Sequence, residues 1–421
     1  MNFTPLKTES NIMATTLDVG YGLGNTKTLL DGLDDEALAL VDAADALVPV
    51  LEERAEEVDR SGHVSADVFK KLVDAGFIRV GVPKRLGGFG QRLQTLIAIC
   101  AALGRGCGST AWVTQIVAGS CMMVSLFGGR AQREVWEDNP DVGACASQGK
   151  PRTIARVEGG YRISGQWSYL SGVEHAGWAL LGMLDTSATP PDMLFGLVPV
   201  ADGIIEQTWN VAGMRGTASN TLVLDDYFVP DYRICSFSEV MEGNPPSEFR
   251  DEPVTRMPFG PAVELGLLGP PIGVVQGALE HVLKLSPKRG ITYSTYPSQN
   301  VSTAFQVQVA EAAAKLEAAR ALTLRMSREI DNAALQNQRL EYIDNTRIRA
   351  TIGCAGVLLR EAMQILTQAH GTSTFAQANP LQRMWRDVNV GTSHGMVTAA
   401  LGYEVFGKAL VGSDERIAPL I

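Results

Sequence analysis

The chain has 421 residues, 45% hydrophobic and 19% charged, with a formal net charge of −10. That length supports two or three packed units with substantial cores, and the acidic balance argues against nucleic acid or an anionic membrane, both of which select for Lys/Arg patches. Six cysteines (100, 107, 121, 145, 235, 354) show no CxxC and no framework spacing, which reads as reduced thiols of a cytoplasmic protein.

Residues 1–30 open with "MNFTPLKTESNIMATTLDVGYGLGNTKT", polar and rich in Gly and Thr, without the basic-then-apolar build of a signal peptide. A flexible tail is expected there. Within it "GYGLGNTKT" lacks the spacing of a phosphate loop, and no strand precedes it. From 31 to 140 the apolar period is helical, and an N-terminal helical domain is expected. In "SADVFKKLVDAG", Ser65 is placed to cap a helix and Gly76 to stop it. "RLQTLIAICAALGRG" and "GSTAWVTQIVAGSCMMVSLFG" are apolar all round, as in buried helices.

Between 141 and 250 short β-rich runs alternate with Gly, Pro and Asp, which predicts a central β-barrel or sandwich. "EGGYRISG" reads as a hairpin whose Gly pair supplies the turn, and "EGNPPSEFRDEP" reads as a linker. From 251 to 421 long helical stretches return, two of them about eight turns each, predicting a C-terminal four-helix bundle. The expected fold class is therefore α+β, helices flanking a β-domain. The apolar run "VELGLLGPPIGVV" is interrupted by Pro and Gly and is too short to span a bilayer, so no membrane association is expected.

No GxGxxG joins a strand to a helix, no G-x-S-x-G is present, and the five histidines show no ligand pairing, so neither a Rossmann site, a hydrolase elbow nor a metal site is expected. The run "GQWSYLSG" (165–172) places Trp167, Tyr169 and Ser171 at every second position. On a strand they share one face, either packed core or a wall for a flat ligand.

Four stretches carry a family resemblance: "VPKRLGGFG" (82–90), "VEGGYRISGQWSYLSGVEHAGWALLGML", "VAGMRGTASNTLVLDDYFVP" (211–230) and "NPLQRMWRDVNVGTSHG" (379–395). In this order they resemble the acyl-CoA dehydrogenase superfamily, over nearly the whole chain after residue 31. The dehydrogenases carry a glutamate base near the last helices. Here "DVNVGTSHGMV" holds none and sets His394 in its neighbourhood, so the chain is more similar to the oxygenase components of two-component flavin-dependent monooxygenases. That resemblance implies an acyl-CoA dehydrogenase-like fold and reduced FAD or FMN delivered by an NAD(P)H:flavin reductase. It also implies O2 as cosubstrate, a C4a-hydroperoxyflavin, and assembly as a homotetramer or homodimer.

Residue by residue, the resemblance implies that His394 delivers a proton, titrating near neutrality. Ser171 then lies beside flavin N5, with Tyr169 and Trp167 packing near the ring. Arg289 reaches the flavin phosphate, and His370 and Gly371 approach the cofactor of a neighbouring subunit, while Arg386 and Asp387 form a structural pair. Trp112 and Ser120 line the substrate pocket. Phenol-hydroxylating relatives carry a histidine where this chain has Ser120, and some carry Asp where it has Val397. Both changes point to a neutral aromatic, indole-type or polycyclic. The alternatives are an acyl-CoA dehydrogenase-like flavoenzyme with another base, a member oxygenating nitrogen or sulfur, and a catalytically silent flavin-binding or scaffold protein.

Overall fold

The computed structural model describes residues 27–189 and 191–418, excepting the side chains of residues 27 and 150–152. Helices come first: α1 (Lys27–Leu30), α2 (Asp35–Ser61), α3 (Ala66–Asp74), α4 (Leu93–Gly106), α5 (Gly108–Val124) and α6 (Gly129–Trp136). Residues 1–26 of the expected tail lie outside the described residues. Its last residues are not tail but α1: Leu29 is fully buried, and Gln94 Nε2 donates to its carbonyl at 2.8 Å. Asp34 starts α2 by accepting from the Ala37 N–H at 2.8 Å. Ser65 stands at the N-cap of α3, but its hydroxyl makes no capping bond and accepts from Arg54 instead. Past the end of α3, Gly76 adopts φ +79°, and the Phe77 N–H closes back on Leu72 O at 3.0 Å, a left-handed helix stop.

Eight strands follow: β1 (Ala144–Ser147), β2 (Lys150–Val157), β3 (Gly160–Leu170), β4 (Trp178–Asp185), β5 (Asp192–Pro199), β6 (Ile204–Glu206), β7 (Asn220–Pro230) and β8 (Ile234–Ser236). They form two four-stranded sheets, ordered β1-β4-β5-β8 and β2-β3-β7-β6. All pairs are antiparallel except β1 with β4. The expected hairpin is β2–β3, turning at Gly159 with φ +75°. Inward side chains of both sheets, among them Ile163, Trp167, Leu181, Val198 and Leu222, fill the space between them, so the β-part is a sandwich.

The remaining helices are α7 (Phe237–Met241), α8 (Phe259–Gly266), α9 (Gly269–Leu285), α10 (Thr303–Gln336), α11 (Tyr342–His370), α12 (Pro380–Thr392) and α13 (Ala399–Leu410). One hydrophobic cluster runs through the N-terminal and C-terminal helices together. Glycines bring α4 and α9 into close contact: a Cβ at Gly273 would stand 2.2 Å from Ala101 O, and one at Gly104 would stand 2.6 Å from Pro270 O. Asp331 of α10, buried, accepts from the Leu93 and Gln94 N–H groups at 2.9 and 3.1 Å and so caps α4 from another helix. The helical run 259–288 is long and apolar enough to cross a membrane by composition, and 94% of its most apolar window is buried within this fold.

Candidate functional site

Two adjoining spaces lie where the β-sandwich meets the helices. One is a cleft of about 870 Å³ walled by the end of β3, the 209–219 loop, α8, α11 and the turn after α12. The other is an apolar cavity of about 120 Å³ between α5 and α8, lined by Met122, Met123, Phe195, Met257, Phe259 and Leu267 among others. They share Ile116, Ala146, Ser147, Gln148, His394 and Met396 as a common wall.

The end of β3 decides which of its side chains reach the cleft. Inward positions alternate through Ile163, Gly165 and Trp167, then the register slips, Tyr169 turns to φ +63°, and Leu170 becomes the next buried residue. Trp167, Tyr169 and Ser171 therefore do not share a face, contrary to the alternation read from the sequence. Trp167 is fully buried between the sheets and donates its indole N–H to Gly182 O at 3.0 Å. It does not line the cleft. Tyr169, 73% exposed, faces the cleft with its ring edge-on to Trp209, centroids 5.9 Å apart.

Ser171 is buried at the base of the cleft and belongs to a chain of hydroxyls whose polarity can be worked out. Thr217 Oγ1 must donate to the Met214 carbonyl (2.9 Å), so its bond with Ser219 Oγ (2.7 Å) is one it accepts. Ser219, its proton thus used, accepts from Ser171 at 2.7 Å. Ser171 Oγ also accepts from the Trp112 indole N–H at 3.2 Å. Its remaining capacity is as an acceptor. Trp112, expected to line the substrate pocket, lines the cleft with its N–H turned to Ser171.

His394 stands in the shared wall. Its Nδ1 accepts from the Met396 N–H at 3.2 Å, which fixes the proton of the neutral ring on Nε2. The residue keeps accessible surface and lines both of the open spaces. Burial first, and the Arg349 guanidinium second, hold its pKa down to about 4. The expectation of an imidazole titrating near neutrality is thereby corrected: the ring is neutral, an N–H donor rather than a cation.

Behind His394 lies a pair that sequence reading missed. Arg349 of α11 and Glu264 of α8 both line the cleft, both side chains are 3% exposed, and Arg349 Nε stands 3.3 Å from Glu264 Oε1. Arg349 Nη2 donates to Gly395 O at 2.5 Å, while its Nη1 is buried without a partner. Burial pushes the Glu264 carboxyl up to about 8, against the pull of Arg349. The segment after α12 holds no carboxylate, yet the cleft does contain one, supplied by another helix. Its sequence signal was available: Glu264 is the only charged residue between positions 257 and 279, and an isolated acid in an apolar run is buried and paired.

In the apolar cavity, Ser120 is buried and lines the wall. Gln115, one helical turn from Gly119, lines it too, with its Oε1 buried and unpartnered. Arg386 and Asp387 do not pair with each other. Arg386 bonds Asp59 at 2.7 Å and also the Ala212 carbonyl, whereas buried Asp387 accepts from the Met214 N–H at 2.6 Å. Together they clamp the loop that carries Thr217 and Ser219.

Arg289, His370 and Gly371 form a separate cluster that does not line the cleft. Arg289 donates to His370 O at 3.0 Å and to Ser373 Oγ at 2.7 Å, and His370 bonds Asn379 at 3.0 Å. Arg289 Nε and His370 Nδ1 are buried and unpartnered. Among the described residues no cluster of His, Cys, Asp and Glu could hold a metal ion.

The acyl-CoA dehydrogenase N-terminal and C-terminal domain families match residues 34–138 and 265–399. The chain is 31% identical, over 87% of its length and 97% of the relative, to a flavin-dependent monooxygenase oxygenase subunit, HsaA, of Rhodococcus jostii RHA1. It is 31% identical, over 86% of its length and 91% of the relative, to the oxygenase component of an FADH2-dependent resorcinol hydroxylase of Rhizobium sp. MTP-10005. Its fold superposes with a TM-score of 0.85 and 29% identity on XiaF from Streptomyces sp., solved with FADH2 and glycerol, covering 91% of this chain and 98% of that one. With matches of this extent, the chain belongs to the flavin-dependent monooxygenase oxygenase subunits built on the acyl-CoA dehydrogenase fold.

Proposed function

We propose that this chain is the oxygenase component of a two-component system, receiving reduced FAD or FMN from an NAD(P)H:flavin reductase and hydroxylating a small aromatic or heteroaromatic compound. The cleft suits such a cofactor. It offers an exposed Tyr169–Trp209 aromatic edge for a planar ring, a buried hydroxyl with acceptor capacity, and an unpartnered guanidinium N–H for a ring carbonyl. When bound, reduced flavin would supply the reaction with O2, oxygen transfer running through a C4a-hydroperoxyflavin.

The observation that carries the reading is the polarity of the hydroxyl chain. Because Ser171 gives its proton to Ser219, it is left to accept, and reduced flavin presents an N–H at N5 where oxidised flavin presents a lone pair. A non-basic acceptor holds that proton without removing it. His394 stands across the shared wall with Nε2–H free to donate toward the reacting oxygen. The methionine-rich walls of the cavity offer few groups that would hold water, which would protect a reactive oxidant.

The cavity volume of about 120 Å³ is of the order of the ~150 Å³ that holds benzene, which favours a ring no larger than indole over a polycycle. Mixing the protein with reduced flavin and O2 in a stopped flow tests the reading. The wild type is expected to hold an oxygenated flavin that decays faster on adding substrate, and Ser171→Ala to shorten its lifetime about tenfold or more, the equivalent of one hydrogen bond to a reacting group. An unchanged lifetime in Ser171→Ala would count against the assignment.

A further inference from the structure

A third space, of about 240 Å³, lies beyond the apolar cavity and shares Leu126, Met257 and Phe259 with it as a dividing wall. Its other sides come from the loop after α7 and from the α10–α11 connection. Three arginines converge there: Arg250, Arg256 and Arg339. None makes an ion pair among the described residues, although Glu242 also lines the space. Arg250 bonds Gly243 O at 3.1 Å and Arg256 bonds Leu335 O at 3.4 Å, which fastens the loops but leaves Arg250 Nη1 and Arg256 Nε buried and unpartnered. Asn345, 9% exposed, lines the same space with its Oδ1 unpartnered. Burial and then the neighbouring Arg256 disfavour the charge on Arg250. Guanidinium groups that line one space without an ion pair, and that keep buried nitrogens unpartnered, are costly unless an anion enters.

We propose that this space binds the carboxylate of an aromatic acid whose ring occupies the adjoining apolar cavity. The proposal rests on the oxygenase reading, since it makes the arginine-lined space the outer end of the same substrate site. Guanidinium forks suit a carboxylate with paired charge-assisted hydrogen bonds. The cavity, about 120 Å³, is of the size of one aromatic ring, so a tail on that ring extends either toward the cleft or past the Leu126–Met257–Phe259 wall. Toward the cleft the guanidinium in reach, Arg349, already stands against Glu264, whereas the second exit ends in arginines without an ion pair among the described residues.

Calorimetry on the full-length chain with indole-3-butanoate and its uncharged amide tests this. The acid is expected to bind about tenfold tighter or more, with the advantage shrinking as salt rises. Arg250→Gln/Arg256→Gln is expected to abolish the difference and Arg256→Lys to retain most of it. Both variants should stay folded with a cooperative melting transition, so that a lost difference in binding is not a loss of the fold. Equal binding of acid and amide, or binding of neither, overturns the proposal. So does inorganic phosphate that binds at the arginines without competing with the acid, because it marks an anion site separate from the substrate. A chain that shows the acid preference but oxygenates no probe when given reduced flavin and O2 would refute the oxygenase reading and leave the carboxylate anchor standing.

Discussion

His394 shows how far a residue's chemistry depends on neighbours that no local motif announces. An imidazole in solution titrates near 6.5, and the sequence reading kept His394 there, as a proton donor titrating near neutrality. Arg349 arrives from α11, more than forty positions earlier, bonds Gly395 O, and places a cation behind the ring. The folded state therefore favours the neutral form. The resulting stability is full above about pH 6.5 and is lost as pH falls through about 4. In an NMR titration referenced to His394→Asn, the His394 ring is expected to stay neutral from pH 8 to pH 5 and to protonate near 4. Arg349→Gln should move that midpoint upward, and a midpoint near 6.5 in the wild type would contradict the buried setting. Trp167 teaches the converse. Period-two reasoning put it beside Tyr169, and one left-handed residue with a register slip was enough to send it into the core. A positive φ at a tyrosine carries no sequence signature.

At the scale of elements, most of the molecule was legible. The helix–strand–helix order, the β2–β3 hairpin and the long α10 and α11 follow from apolar periodicity and from Gly and Pro punctuation. What periodicity could not show is which elements touch. The Pro and Gly of "VELGLLGPPIGVV" read as interruptions in a run too short to span a bilayer. In the fold its Gly273 is part of the contact surface by which α9 lies against α4. Asp331 is similar: nothing in α10 tells that its carboxylate caps a helix more than two hundred residues earlier. Gly273→Ala would drive a methyl group toward Ala101 O at 2.2 Å, which the helices can relieve only by separating. A loss of about 1–3 kcal/mol is expected, typical of overpacking, read as a lower denaturant midpoint at unchanged slope. Stability within experimental error of the wild type would show that the two helices are not locked at this contact.

At the scale of the whole molecule, the candidate residues fall into two groups that one chain does not bring together. Ser171, Tyr169 and His394 line the cleft, whereas Arg289, His370 and Gly371 stand elsewhere with buried, unpartnered nitrogens. Burial, then Arg289, then His281 hold His370 down to about 4, so this second group is a lone guanidinium beside neutral rings, suited to an anion such as a flavin phosphate. If it serves the cleft of a neighbouring copy, the two groups must complement each other between chains. A mixed dimer of one Ser171→Ala copy and one Arg289→Gln copy separates the possibilities. With action between chains, one cleft combines Ser171 with Arg289 and is intact, while the other carries both substitutions. With action within a chain, each cleft carries one substitution and neither is intact. Differentially tagged mixed dimers are therefore expected to show half of their sites with wild-type affinity for reduced flavin and a wild-type lifetime of the oxygenated species. Two populations, one with each single defect and neither like the wild type, would place Arg289 in the service of its own chain.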